Sequence, residues 1–313
     1  MIPTITVLMP AYNAAKYIGE AISSVLQQSF GDFELLIIND GSADNTVEVI
    51  NSFTDERIRI IHQTNQGVAA ALNIGLLNAK AELIARFDAD DICLPDRLEK
   101  QLEFFLSHPA HVLVGSDADY VDMNGAFIYR QPFAAYDDES IRQLPASVCP
   151  FSHVTVLYKK EAAIKAGMYD INAHSFEDHL LWHKIMQLGR VAIIPEVLVR
   201  VRFNPESVTI DDTWRSRRFR KIKYASIGNG YISREKGDKL LKIIRQQNTG
   251  SIKKGAYYSL LAKKFLFNNY NQAGARFNIV QLIKTCPLKM QGYLLLGLSF
   301  FPERILKAIY KIK

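Results

Sequence analysis

The sequence predicts an α/β fold, in which a mostly parallel sheet is flanked by helices and followed by a basic helical C-terminal region. In the first half, short β-branched and aliphatic segments alternate with segments of helical spacing, which is typical of βαβ units. The charge balance then reverses: residues 1–213 hold 16 Lys and Arg against 29 Asp and Glu, and residues 214–313 hold 22 against 3. We therefore expect an α/β domain over 1–213, with halves of about 1–115 and 116–213, and a separate region over 214–313.

The predicted elements follow one another in a regular order. Strand-like segments cover residues 4–10, 33–40, 57–63, 82–88 and 111–117. Helical spacing covers residues 16–28, 46–53, 68–79 and 96–108, between and after these strands. Residues 116–213 are less regular, apart from a helix predicted from residue 177. From residue 214 the pattern is helical, basic and aromatic.

The composition is that of an ordinary globular protein, with 48% hydrophobic and 22% charged residues in a chain of 313. Its three cysteines, Cys93, Cys149 and Cys286, are widely spaced and form neither a disulfide framework nor a paired metal-ligand pattern. No basic leader precedes the first strand, and no run of 18 apolar residues is present. We therefore expect a cytoplasmic protein without a membrane span.

Polar or turn-forming residues directly follow three of the predicted strands. They are Pro10-Ala11-Tyr12, Asn39-Asp40-Gly41 and Asp88-Ala89-Asp90. Ligands of parallel sheets bind at the carboxyl ends of the strands. The sequence therefore predicts one binding site at this edge of the sheet.

The acidic cluster Asp88, Asp90 and Asp91 needs a physical explanation, because like charges this close repel one another. A helix beginning near Pro95-Asp96 could use one aspartate as a cap or turn residue, but not all three. A hard divalent cation, completing its shell with water and phosphate oxygens, would neutralise the cluster. The short acidic pattern is weak evidence by itself.

The other polar clusters have both a structural and a functional interpretation. Asp40 is either a turn residue or an acceptor for the N–H of a pyrimidine base. Asn65 and Gly67 precede an alanine-rich helix that is either simply buried or packed beneath a ligand. Glu177 and Asp178 begin a helix, where carboxylates also complement the positive helix end.

Taken together and in this order, four segments resemble the family 2 glycosyltransferases, enzymes of the Rossmann-like GT-A fold. The segments are TVLMPAYNAAKYIGEAISSVLQQSFGDFELLIINDGSADNT, NQGVAAALNIGL, ELIARFDADDICLPDRLEKQ and FEDHLLWHKI. The resemblance covers about residues 4–210, and the combination is specific although each piece is not. It implies sugar transfer from a nucleotide-sugar, expected to be a UDP-sugar, to a hydroxyl of a glycan or lipid-linked acceptor in cell-surface polysaccharide biosynthesis.

The resemblance also implies roles for single residues. Donor contacts are expected from Pro10, Ala11, Tyr12, Asp40, Asn65, Gly67, Asp88 and Ala89. In the family, the residue matching Asp40 contacts uracil, and those matching Asp88 and Asp90 address the ribose and the diphosphate-bound Mn²⁺ or Mg²⁺. The residue matching Asp178 is the general base of an inverting, single-displacement reaction, with Glu177 beside it.

The chain departs from the family pattern at two places. Many relatives read Ala-Arg-Asn where this chain has Ala71-Leu72-Asn73, and many carry a His after a Tyr-Arg where this chain offers Arg200 and Arg202. Either arginine could pair with a diphosphate or contact the acceptor. His153 matches a recurring family position and either lines the acceptor pocket or is structural.

Other classes of protein fit less well. A haloacid dehalogenase-type phosphatase needs an acidic nucleophile after the first strand, and a nucleotidyltransferase needs a Gly-rich basic loop there, whereas this chain has PAYN. A non-catalytic sugar-nucleotide binder or scaffold would be expected to lack the metal or base residues. Nucleic-acid binding is not expected, because the basic tail has no RNA-reading motif.

The C-terminal tail combines apolar and basic residues. Its apolar residues are Tyr293, Leu294, Leu295, Leu296, Phe300 and Phe301, and its basic residues are Arg304, Lys307, Lys311 and Lys313. This combination suits a segment in the interface of an anionic membrane, which would place the enzyme on the cytoplasmic face beside a lipid-linked or glycan acceptor. The alternative is a helical cap packed on the catalytic domain.

Overall fold

The computed structural model describes residues 2–131, 133–204, 215–247 and 250–311. The described chain divides into two compact units. The first comprises residues 1–118, 131–202 and 223–237, and the second comprises 119–130, 203–222 and 238–313. The predicted boundary at residue 214 lies outside the described residues and stays a prediction. Both units take segments from either side of it.

The sheet begins with four parallel strands in the order β3-β2-β1-β4. These are β1 (Ile5–Ala11), β2 (Phe33–Asp40), β3 (Ile58–Gln63) and β4 (Leu83–Arg86). They are joined by α1 (Ile18–Leu26), α2 (Thr46–Asn51) and α3 (Val68–Asn78). The predicted alternation of strands and helices is confirmed. Because β2, β1 and β4 are parallel neighbours, their carboxyl ends lie at one edge of the sheet.

The rest of the sheet is mainly antiparallel. Its elements are β5 (Ile92–Cys93), α4 (Arg97–Ser107), β6 (His111–Val121), β7 (Phe127–Gln131), α5 (Asp138–Arg142), β8 (Leu157–Lys159), α6 (Lys160–Lys165), α7 (Glu177–Ile185) and β9 (Arg190–Arg202). Strand β8 pairs antiparallel with β4 and β6, and β5 pairs antiparallel with β9. Strand β5 directly follows the Asp88–Asp91 turn. Its pairing with β9 therefore holds the end of that turn beside β9.

Both faces of the parallel half are buried, as such strands require. Side chains alternate along β1, so that Ile5, Val7 and Met9 enter one hydrophobic cluster and Leu8 enters the other. Gly75 of α3 lies against Leu8, where an added Cβ would come within 2.1 Å of the leucine side chain. The core therefore holds α3 close beneath the sheet.

The C-terminal region is helical, as predicted. Its helices are α8 (Arg217–Asn229), α9 (Arg234–Gln247), α10 (Gly250–Phe267), α11 (Gln272–Thr285), α12 (Met290–Leu298) and α13 (Glu303–Lys311). Within the second unit, Ala262 and Leu266 of α10 pack with Ile279, Leu282 and Leu295. None of the described helices combines the length and the hydropathy needed to span a bilayer.

Candidate functional site

The loops that follow β1 and β2 are fastened to each other. The side-chain oxygen of Asn13 accepts a hydrogen bond from the Ala43 N–H at 2.8 Å, and Ser42 Oγ accepts one from the Asn13 N–H at 3.0 Å. Among the predicted residues of the first loop, Ala11 is buried and Tyr12 is 53% exposed. The ring of Tyr12 is therefore available to a ligand at this edge.

Asp40 ends β2 and organises the loop before α3. Its Oδ1 accepts from the Gln66 N–H at 2.8 Å and from Gln63 Nε2 at 2.5 Å, and its Oδ2 accepts from the Gly67 N–H at 2.8 Å. Gly67 has a φ of +88°, which favours glycine at that position. The structure thus brings together the predicted residues Asp40 and Gly67. Three accepted hydrogen bonds leave a carboxylate with capacity for a further donor.

The acidic cluster lies in the turn between β4 and β5. One carboxylate oxygen from each of Asp88, Asp90 and Asp91 lies within 4.8 Å of the others. Asp88 and Asp90 are partly exposed, whereas Asp91 is buried and accepts from the Arg202 N–H at 2.7 Å. Burial, and then the charges of Asp90 and Asp88, raise the pKa of Asp91 well above its usual range. The three carboxylates converge and offer hard oxygen ligands that carry negative charge. Such a set of ligands fits Mn²⁺ or Mg²⁺.

Arg86, at the end of β4, was missed by the sequence analysis. Its side chain is 4% exposed and forms an ion pair with Asp88. Burial lowers the pKa of Arg86, but the charge and hydrogen bond of Asp88, together with the charges of Tyr169 and Asp91, outweigh it and the pKa is raised. A charged residue inside an apolar strand, two residues before an acidic turn, was the signal in the sequence.

Arg202 lies beneath the acidic turn. Its Nε donates to the Asp90 carbonyl at 2.9 Å, its Nη2 donates to Glu20 at 2.7 Å, and its guanidinium lies 4.7 Å from the Tyr17 ring centroid. The side chain is 3% exposed. Arg202 therefore holds the main chain of the turn, and its predicted contact with substrate stays a prediction. Arg200 pairs with Ile92 between β9 and β5 and is exposed.

Glu177 and Asp178 form the first turn of α7. Glu177 is buried, and burial followed by the charge of Asp178 raises its pKa to about 7. The charges of Arg86 and Asp88 also act on Glu177, so the start of α7 and the acidic turn share one electrostatic environment. Asp178 is partly exposed, and its Oδ1 accepts from the His179 N–H at 2.7 Å. Of the two carboxylates, Asp178 is thus the one with access to solvent.

His153 belongs to an aromatic cluster packed around Trp182. Its Nε2 lies 3.1 Å from the Tyr169 hydroxyl, which lies 3.3 Å from the Tyr158 hydroxyl. The rings of His153 and Trp182 meet edge to face, with centroids 5.7 Å apart. Burial, and then the charge of Arg86, lower the pKa of His153 well below its usual range. The imidazole is therefore neutral near pH 7, with one ring nitrogen able to donate a hydrogen bond and the other able to accept one.

A cavity of about 190 Å³ lies elsewhere in the first unit. It is lined by the segment from Leu144 to Pro150 and by His179 and His183 of α7. None of the acidic-turn residues lines this cavity. The cavity is therefore separate from the predicted donor, metal and base residues, none of which lines it.

Comparison with known proteins adds family information to this geometry. The family model described as Glycosyl transferase family 2 matches residues 6–167, slightly more than half of the chain. The amylovoran biosynthesis glycosyltransferase AmsE of Erwinia amylovora is 32% identical over 216 residues, which cover 67% of this chain and 80% of AmsE. An uncharacterized glycosyltransferase of Haemophilus influenzae is 31% identical over 241 residues, covering 74% and 79% of the two chains.

Solved structures of S. aureus TarS share the fold. The complex of TarS residues 1–349 with UDP has a TM-score of 0.56, and the complex with UDP-GlcNAc has a TM-score of 0.58. In both, the match covers 98% of this chain and 91% of the TarS chain, at 17% identity. At that identity the likeness shows the GT-A fold alone.

Proposed function

The chain belongs to glycosyl transferase family 2, and from that premise we propose that it is an inverting transferase moving a sugar from a UDP-sugar to an acceptor hydroxyl. The observation that carries this proposal is the arrangement of strand ends. Donor-type polar residues follow β1 and β2, a metal-type acidic turn follows β4, and an accessible carboxylate begins α7. These four features match what sugar transfer from a nucleotide-sugar requires, namely nucleoside contacts, a cation for the diphosphate and a base for the acceptor hydroxyl.

The nucleoside is proposed to lie along the ends of β1 and β2. Pro10, Ala11 and Tyr12 would contact it from one side, and Asn65 and Gly67 from the other. Asp40 would accept the uracil N–H with its remaining hydrogen-bonding capacity, while its other bonds hold the loop. That TarS was solved with UDP and UDP-GlcNAc supports a uridine donor for this fold.

Asp88 and Asp90 are proposed to hold Mn²⁺ or Mg²⁺ together with the donor diphosphate, next to Ala89 in the same turn. A bound divalent cation supplies charge neutralisation for the diphosphate that departs. Asp91 contributes less directly, because it is buried and already accepts the Arg202 N–H. Arg202 and Asp91 therefore keep the turn in place while Asp88 and Asp90 face the ligand.

Asp178 is proposed as the general base. Its carboxylate takes the proton from the acceptor hydroxyl, the oxygen forms a bond to the anomeric carbon, and the bond from that carbon to the diphosphate oxygen breaks. This single displacement inverts the anomeric configuration. Glu177 is the less suitable base, because its side chain is buried, whereas that of Asp178 reaches solvent.

The acceptor is proposed to be a glycan or a lipid-linked sugar of cell-surface polysaccharide biosynthesis. Its support is the similarity to AmsE, whose name assigns that protein to amylovoran biosynthesis. The acceptor would approach α7, with His153 and Arg200 as candidate contacts. A lipid-linked acceptor would place the enzyme peripherally on the cytoplasmic face of the cell membrane.

A screen of nucleotide-sugars tests this function. Incubation of the purified chain with Mn²⁺ and each UDP-, GDP-, ADP- or TDP-sugar should release nucleoside diphosphate from a UDP-sugar, and faster with a suitable acceptor. The chain could instead bind a nucleotide-sugar but neither hydrolyse it nor transfer its sugar to any acceptor fraction of a polysaccharide pathway. That result would support the alternative of a non-catalytic sugar-nucleotide binder.

A further inference from the structure

The second unit carries exposed large apolar side chains on α11, on α12 and in the segments before and after α12. We call this set the apolar face, and it consists of Phe277, Val280, Leu288, Met290, Tyr293, Leu294, Phe300 and Phe301. Leu288 is 94% exposed, Met290 76% and Phe300 67%. Soluble monomers rarely expose so many neighbouring apolar side chains without a partner.

Contacts within the second unit pack the elements that carry these residues against one another. Helix α12 lies against α11, where an added Cβ on Gly292 would come within 2.8 Å of Ile283. The Arg276 guanidinium lies 4.9 Å from the Phe300 ring centroid, and Gln272 Nε2 donates to the Phe301 carbonyl at 2.8 Å. The exposed side chains of the apolar face therefore belong to one packed group of elements in the second unit.

The apolar residues that are exposed in the structure differ in part from those predicted from the sequence. Leu295 is 4% exposed and belongs to the core of the second unit, and Leu296 packs partly against that core. Leu288 and Met290, which precede the predicted apolar segment, are among the most exposed residues instead. The predicted basic residue Lys313 and the side chain of Lys311 lie outside the described residues.

The charge in the segment that carries the apolar face is predominantly positive, and the nearest carboxylate in the sequence, Glu303, pairs with Lys307. Residues 239–302 contain ten Lys and Arg and no Asp or Glu. Lys284 and Lys289 are exposed beside the apolar residues of α11 and α12. Apolar side chains bordered by cations complement an anionic lipid surface, whose headgroups attract the cations while the apolar side chains enter the interface.

We propose that the apolar face docks on an anionic lipid bilayer, with Leu288 and Leu294 inserted and with Lys284 and Lys289 at the headgroups. The proposal deepens the proposed function, on which it rests for the identity of the acceptor as a lipid-linked sugar. The docking itself does not depend on catalysis. Donor binding and vesicle binding can therefore fail separately.

Co-sedimentation of the full chain with phosphatidylcholine vesicles, with or without phosphatidylglycerol, tests the proposal. The chain should pellet with the anionic vesicles and be released by high salt. Leu288→Ser with Leu294→Ser should lower the partition coefficient at least about tenfold. Lys284→Gln with Lys289→Gln should lower it roughly 10- to 30-fold on anionic vesicles only.

Matched variants in the first unit provide the controls. Leu77→Ser with Leu106→Ser removes two apolar side chains of similar exposure, 65% and 75%, and Lys80→Gln with Lys165→Gln removes two cations. Both should bind vesicles within about twofold of the parent. Equal losses in test and control variants would overturn the proposal. So would a parent chain that stays in the supernatant and self-associates through Leu288 and Leu294 in sedimentation velocity.

A second inference concerns the buried cation at the acidic turn. Arg86 forms an ion pair with Asp88, and its Nε has no hydrogen-bond partner among the described residues. Three carboxylates lie within 4.8 Å of one another beside it. A guanidinium enclosed next to this cluster offsets part of the mutual repulsion of the carboxylates even before a ligand arrives.

We infer that Arg86 is the internal counter-ion of the acidic turn and a positioning residue that competes with the divalent cation for Asp88. This inference rests on the proposed metal site. Mn²⁺ without nucleotide should then bind the parent weakly, because Arg86 already neutralises Asp88. Donor diphosphate would supply further oxygen ligands for the metal, so that metal binding at Asp88 would become favoured over the Arg86 ion pair.

Titration of Mn²⁺ alone, followed by its electron paramagnetic resonance signal, tests the competition. Arg86→Met should bind Mn²⁺ at least about tenfold more tightly than the parent, and Arg86→Lys should resemble the parent. Adding Asp88→Asn to Arg86→Met should remove the gain. An Arg86→Met chain that folds only with Mn²⁺ would support the same competition. Equal affinities in a folded Arg86→Met chain, or failure to fold with and without Mn²⁺, would overturn it.

Discussion

Asn73 and Tyr169 exchange two hydrogen bonds although they are 96 residues apart. The Tyr169 N–H donates to Asn73 Oδ1 at 2.9 Å, and Asn73 Nδ2 donates to the Tyr169 carbonyl at 2.8 Å. This pairing joins α3 of the donor half to the segment that precedes α7. Asn73 thus has a structural role. The sequence pattern did not indicate this role, because the departure from the family lies at the neighbouring Leu72, where many relatives have an arginine.

Replacement of Asn73 should destabilise the chain. Asn73→Ala removes both bonds and leaves two backbone groups without partners, so the free energy of unfolding should fall by about 2 to 4 kcal/mol. Urea denaturation followed by tryptophan fluorescence measures this. Asn78→Ala, which removes only a bond to the Ile74 carbonyl within the same helix, is the control and should change stability by less than about 1 kcal/mol. Equal effects of the two substitutions would contradict the assigned role.

The raised pKa of Glu177 should make stability depend on pH. Its folded pKa is about 7 against an ordinary value of 4.5. The folded chain therefore holds a proton that the unfolded chain releases, and stability falls as pH rises from about 4.5 to 7. The loss is at most about 3 kcal/mol, at 1.36 kcal/mol per pKa unit.

Comparison with Glu177→Gln isolates this effect, because other groups such as Asp91 titrate in both chains. Urea unfolding at pH 5, 6, 7 and 8 should show a shallower decline for the variant. If the free energy of unfolding falls equally with pH in the parent and the variant, Glu177 does not have the raised pKa that its burial predicts.

Asp40 should discriminate between bases. If it accepts the uracil N–H, Asp40→Asn should weaken binding of UDP at least about tenfold while changing the already weaker binding of ADP much less. If Asp40 only holds the loop through the Gln66 and Gly67 N–H groups, binding of both nucleotides should weaken equally. Isothermal titration with each nucleotide separates the two cases.

Asp178 should act in turnover and not in donor binding. Asp178→Asn should lower kcat at least about a hundredfold, the ordinary magnitude of general-base catalysis, and leave the Kd for UDP within about threefold. Glu161→Gln, a change at an exposed carboxylate of the first unit, should leave both unchanged. Retention of most activity by Asp178→Asn would transfer the role to Glu177.

The parallel half of the fold and its ligand edge could be predicted because local patterns determine them. Strand β2 covers residues 33–40 as predicted, and Asp40 and the Asp88–Asp90 turn fall at neighbouring strand ends because β2, β1 and β4 are adjacent. Of the antiparallel strands, β6 was predicted in part, over residues 111–117, whereas β5 and β8 were not, since they have two and three residues. Such short segments carry no periodicity.

The burial of Arg86 and the contact of Arg202 with the acidic turn could not be predicted for a different reason. Arg86 is only two residues from Asp88, but its enclosure depends on tertiary packing, and Arg202 contacts the turn across 112 residues. The sequence showed three aspartates that needed a cation and suggested a metal. Which cations the fold itself supplies depends on packing that no local pattern encodes.

Titration of UDP in Mn²⁺ and in EDTA tests the central claim most directly, namely that a metal on Asp88 and Asp90 holds the donor diphosphate. The parent should bind UDP in Mn²⁺ and lose at least about tenfold in affinity in EDTA, while Asp90→Asn should bind equally weakly in both. Absence of UDP binding, or equal affinity of the parent in Mn²⁺ and EDTA, would contradict the claim.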